Sequence, residues 1–200
     1  MPYTSYGLLK AMRTHQITSP SAQSTLDSGR PNACNLCHLD QSLGFTADAL
    51  AKLWHVPAPA PLDDDRRKLA ESVVVALRGD AGQRALYAWA MGWPPAQQAS
   101  GTRWLPPWLA RLMDDPYDAV RFIAGRSLRT VPGFERFAYD SVPAPGTRPA
   151  LTAAVARQIA ALGARDERSA LPLRAEVSLR QDVAARLLDA RDVRPIDLLE

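Results

Sequence analysis

Residues 115–128 read Asp115-Pro-Tyr-Asp-Ala-Val-Arg-Phe-Ile-Ala-Gly-Arg-Ser-Leu128, and the spacing of their apolar positions decides the fold class. Val120, Ile123, Ala124 and Leu128 recur every three or four residues, the period of one helix face. Asp115 as N-cap and Pro116 at the first helical position would start that helix. Upstream, Arg84 to Trp93 carries Leu86, Trp89, Ala90 and Trp93 on one side after a turn at Gly79-Asp80. The two helix starts, Asp80 and Asp115, lie roughly 35 residues apart. Ala85 overlays Val120, Ala88 overlays Ile123, Trp89 overlays Ala124 and Trp93 overlays Leu128. A repeat of this length with two helices per unit predicts a helical solenoid.

Working outward, Asp63 to Arg78 carries Leu69, Val73, Ala76 and Leu77 at helical spacing. Its start, Asp63-Asp64-Asp65, suits the positive end of a helix dipole. A proline-rich loop is expected from Pro94 to Thr102. Leu105, Trp108, Leu109 and Leu112 form the next stripe. After a linker at 141–149 come Leu151, Val155, Ile159 and Leu162, then Val183, Leu187 and Leu188, ending near Arg191. No stretch alternates convincingly with period two, so the chain should be mainly α. It divides into residues 1–62, helical repeats at 63–140, and C-terminal helices at 141–200 that continue the solenoid. The five tryptophans, Trp54, Trp89, Trp93, Trp104 and Trp108, are expected to fill the solenoid core.

The chain has 200 residues, 46% hydrophobic and 22% charged, which excludes wholesale disorder. Its 24 basic residues are nearly all arginine and are interleaved with acidic ones, so a nucleic-acid stripe is absent. No apolar run approaches the ~20 residues that span a bilayer. The first residues also lack the apolar core of a secretion signal.

Residues 1–62 are rich in Ser, Thr, Asn and Pro. Asn32 is a candidate N-cap for a helix over Asn32–Gln41, and Thr46 for one carrying Leu50, Leu53 and Trp54. Alternating prolines from Val56 to Pro61 read as a semi-rigid linker. Within this segment stand the chain's two cysteines, in Cys34-Asn35-Leu36-Cys37-His38. This is CxxCH, the attachment motif for c-type haem. Thiols at i and i+3 project from one side of a turn and can each add to a porphyrin vinyl group. His38 is then carried under the ring as an iron ligand. Three other readings compete. A thioredoxin-like redox pair wants a preceding strand. Structural zinc wants two more ligands, and only His15 and His55 remain. The third is two incidental buried thiols.

Arg30-Pro31-Asn32-Ala33-Cys34-Asn35-Leu36-Cys37-His38-Leu39-Asp40-Gln41 resembles the last haem segment of a family of bacterial multihaem cytochromes c with HEAT-like or TPR-like repeats. Residues 6–20, with His15, resemble the family's preceding segment, and 115–128 resembles the second helix of a HEAT-type repeat. The resemblance covers residues 1 to about 54 closely and the helical region in style. It implies haem c bound covalently through Cys34 and Cys37, with His38 as one axial ligand and His15 as the other. Met91, Met113, Met12 and His55 are the alternative distal ligands. The opening Met1-Pro2 resembles residues that follow a CxxCH in this family, which implies a C-terminal portion of a longer, exported protein.

The expected function is therefore a periplasmic electron-transfer module, an electron carrier; a haem enzyme with a vacant sixth iron position is a further reading that the sequence neither demands nor excludes. The module's partners would be redox proteins or neighbouring haem domains, with no nucleic acid and no membrane span. The alternative is a haem-free HEAT-like scaffold that binds a protein partner along its repeats.

Overall fold

A computed structural model describes residues 3–7, 10–13, 19–142, 148–162 and 181–194. The chain is mainly helical. Two short strands, β1 (Tyr3–Gly7) and β2 (Lys10–Arg13), pair antiparallel, with Tyr6 opposite Ala11. The helices are α1 (Ala22–Ser28), α2 (Leu43–Trp54), α3 (Asp64–Lys68), α4 (Glu71–Arg78) and α5 (Ala81–Met91). They continue with α6 (Pro94–Ser100), α7 (Pro106–Leu112), α8 (Asp118–Leu128), α9 (Arg148–Ala161) and α10 (Gln181–Asp189).

Helix α5 is the centre of the molecule. It starts at a capping box: the Asp80 carboxylate accepts the Gln83 N–H at 2.8 Å, and the Gln83 side chain accepts the Asp80 N–H at 3.0 Å. That arrangement satisfies two otherwise orphaned donors. Ala85, Leu86, Tyr87, Ala88 and Met91 are buried, and α5 packs on α4, α7, α8 and the β1–β2 hairpin. Against it α8 presents Val120, Ile123, Ala124 and Leu128, all buried. The overlaid pairs Ala85/Val120 and Ala88/Ile123 are thus core on both helices. Trp89 and Trp93 are only partly buried: they stack on each other at 5.5 Å, and Tyr3 of the hairpin lies 4.8 Å from Trp89. The hairpin gave no periodic signal because each strand has only four or five residues.

Four boundaries differ from expectation. The helix expected over 63–78 is broken at Leu69-Ala70, whose backbone is extended, so α3 stays on the surface while Val73, Val74 and Leu77 of α4 turn inward. The expected loop at 94–102 is mostly α6, because Pro94 and Pro95 occupy its first turn, where a missing N–H costs nothing. Helix α2 is capped by Ser42, whose hydroxyl accepts the Phe45 N–H at 3.0 Å; Thr46 lies inside it. Helix α8 starts at Asp118, not at Asp115-Pro116.

Asp115 is drawn elsewhere. Its carboxylate receives the Arg84 guanidinium at 2.7 and 3.0 Å, with both side chains excluded from water, and accepts the Tyr117 N–H at 2.9 Å. Arg191, beyond α10, approaches the same carboxylate at 3.5 Å and donates to the Leu77 carbonyl. Arg84 also donates to the Asp192 carbonyl, tying the end of α10 to α5. Leu187 of α10 is buried in a second apolar cluster with Val73, Val74 and Leu77. Among the described residues no helix is long and apolar enough to cross a membrane.

Candidate functional site

Asn32 starts a single turn, not the expected helix. Its side-chain oxygen accepts the Cys34 N–H at 2.9 Å, a local bond that competes with helix propagation. The Cys34 carbonyl then accepts the N–H groups of both Cys37 and His38, at 3.1 and 2.7 Å. The motif is closed on itself within five residues. Leu36 and Leu39 point the other way and are buried in the main core.

The turn is fixed from behind by polar contacts. Asn35, fully buried, donates to the carbonyls of Gln41 and Ser42 at 3.0 and 3.2 Å and accepts the Thr46 hydroxyl at 2.9 Å. Ser100, at the end of α6, accepts the Leu39 N–H at 2.8 Å and donates to the Cys37 carbonyl at 2.9 Å. Ser72 of α4 donates to the Leu39 carbonyl. These anchors come from α2, α4 and α6, and the reading of the sequence had found none of them. Ser72 and Ser100 lie 33 and 61 residues from Leu39, so no local pattern announces them.

What the turn presents to solvent is chemically specific. Cys34 and Cys37 are both free thiols, half-exposed, and His38 is exposed. Burial pushes both thiols above their ordinary range; for Cys34 its own backbone hydrogen bond opposes this and neighbouring Cys37 adds to it. A catalytic dithiol requires the opposite, a depressed thiol. Among the described residues no three His, Cys, Asp or Glu side chains converge on a point that could hold a metal ion, which disfavours zinc. Haem sets a different demand, since its thioethers lie at the ring edge and its iron at the centre.

Next to His38 stands an exposed aromatic side chain: the Phe45 ring, 47% exposed, lies 6.5 Å from the His38 ring. Leu53 and Trp54, 60% and 67% exposed, are eight and nine residues further on, about 12 and 14 Å along the α2 axis, and Trp54 is on the side of the helix opposite Phe45. Trp54 is therefore not part of the core expected of the tryptophans. Free thiols, an outward imidazole and the Phe45 ring together fit a flat apolar ring.

The distal-ligand candidates separate. His15 lies outside the described residues. His55 caps the far end of α2 in a left-handed conformation, φ 55°, ten residues past Phe45 and therefore about 15 Å along the helix axis from the His38 end. Met91 and Met113 are buried in the core, and Met12 is on β2. No family model, curated protein or solved structure matches the chain.

Proposed function

We propose that the chain is a c-type cytochrome module that transfers electrons through one covalently bound haem. The observation that carries this reading is the pair of free thiols and the exposed imidazole on one turn, beside the exposed Phe45 ring. Bound haem would supply a one-electron Fe(III)/Fe(II) couple. Cys34 and Cys37 would hold the ring edge by thioethers, each S–H adding across a vinyl C=C with no leaving group. His38 would be one iron ligand, and His15 is our choice for the other. Phe45 would exclude water beside His38, which with the two ligands sets the potential. The network of Asn35, Ser72 and Ser100 would keep the turn rigid, so little rearrangement accompanies a change of charge.

In this reading the helices from α4 to α8 form a HEAT-like scaffold, and the module belongs to a larger periplasmic multihaem cytochrome whose neighbouring haems or redox proteins are its partners. The test is export of the chain alongside a haem-maturation system, followed by haem staining on a denaturing gel. A stained band at the chain's mass supports the reading. A colourless band under those conditions refutes it and favours the haem-free interaction scaffold.

A further inference from the structure

We propose that Glu71 is a redox-linked proton site, releasing its proton when the haem held at Cys34, Cys37 and His38 is oxidised and recovering it on reduction; this rests on the haem reading above. Glu71 opens α4 directly behind the haem turn. Its N–H donates to the Gln41 carbonyl at 3.0 Å, and the next residue, Ser72, donates to the Leu39 carbonyl. The segment that follows His38 is therefore strapped to the first turn of α4.

The Glu71 carboxyl is fully buried, and among the described residues neither of its oxygens has a hydrogen-bond partner. The hydroxyl of Tyr87 on α5, also fully buried, has none among them either. Arg66 of α3 approaches Glu71 at 3.8 Å, an ion-pair distance without a hydrogen bond. Asp63 before α3 and Arg78 on α4 are the other charged groups that act on it. Asp115 shows how this chain partners its other buried acid: two guanidinium hydrogen bonds at 2.7 and 3.0 Å and one from a backbone N–H. Glu71 has no such cage. Burial is the largest influence on it and pushes its pKa from 4.5 to about 7, with Arg66 and then Arg78 opposing and Asp63 adding. It is poised where a modest change in nearby charge changes its protonation.

Oxidation leaves one more positive charge at the site, which favours the carboxylate. The electron passes to a one-electron acceptor protein or electrode, and the proton passes to water beside Arg66, whose side chain is 18% exposed. The test is the midpoint potential of the intact haem-loaded chain between pH 5 and 9, for wild type and Glu71→Gln. Wild type should favour the oxidised form by about threefold to tenfold more at high pH, with a bend near 7, the size expected of two charges that interact through protein instead of bulk water. At about 59 mV per tenfold this is a fall of roughly 30–60 mV. Glu71→Gln should lack that bend. A second measurement needs no variant: at pH 7 the infrared difference spectrum should lose a protonated-carboxyl band on oxidation. An equal bend in both proteins, or no carboxyl band, overturns the proposal while leaving the haem intact. A chain that takes up no covalent haem refutes both readings.

Discussion

Replacing Asp115 with alanine should be among the most damaging single changes outside the Cys34–His38 turn. The substitution removes the acceptor of two Arg84 hydrogen bonds at 2.7 and 3.0 Å, one from the Tyr117 N–H at 2.9 Å, and the counter-charge of Arg191 at 3.5 Å. Arg84 remains only 1% exposed and keeps only carbonyl acceptors, those of Gly79 and Asp192. A guanidinium does not shed its proton to escape such a site. Leaving a buried charge without its partner costs about 3–5 kcal/mol, a large part of the roughly 5–15 kcal/mol that holds a domain together. With a urea slope of about 1–3 kcal/mol/M, the midpoint should fall by about 1 M or more. The assay is equilibrium urea unfolding followed by far-UV circular dichroism. Asp64→Ala is the control, because that carboxylate is 82% exposed and its partner Lys68 is 60% exposed, so it should cost no more than about 1 kcal/mol. Equal midpoint shifts for the two variants would refute the reasoning.

In the haem-free chain, stability should fall as pH rises from 4.5 towards 7 and then level off. Folded Glu71 keeps its proton to about 7 while the unfolded chain gives it up near 4.5, a difference of about 3 kcal/mol that Glu71→Gln should remove from a pH series of unfolding curves. Gly125→Ala should cost about 1–3 kcal/mol, read as a lower Tm, because a Cβ there would overlap the Tyr139 ring. His15→Ala should leave haem attachment intact but yield a high-spin spectrum and new carbon monoxide binding in the ferrous state. His55→Ala should change neither, and the reverse pattern would show that His55 is the distal ligand.

The helical class was legible because burial enforces the period: Val120, Ile123, Ala124 and Leu128 are core, as their spacing requires. Asp80 was legible as a helix start, and its capping box with Gln83, three residues away, anchors α5 there. Asp115 was read as a helix start too and misled, because Arg84, 31 residues upstream, outcompetes the helix for its carboxylate. The Pro94-Pro95 pair reads as a break, yet prolines at a helix start are as favourable as prolines in a loop. At the CxxCH turn, Cys34, Cys37 and His38 stood out because the motif is local. The exposure of Phe45 did not stand out, since an exposed Phe45 and a buried Phe134 look alike in sequence.

The most direct test of the central claim is intact-protein mass spectrometry on the chain exported with a haem-maturation system and then denatured. The account predicts the mass of the polypeptide plus one haem, reverting to the bare polypeptide in the Cys34→Ala/Cys37→Ala double variant. Finding the bare polypeptide mass in the unaltered chain would contradict it.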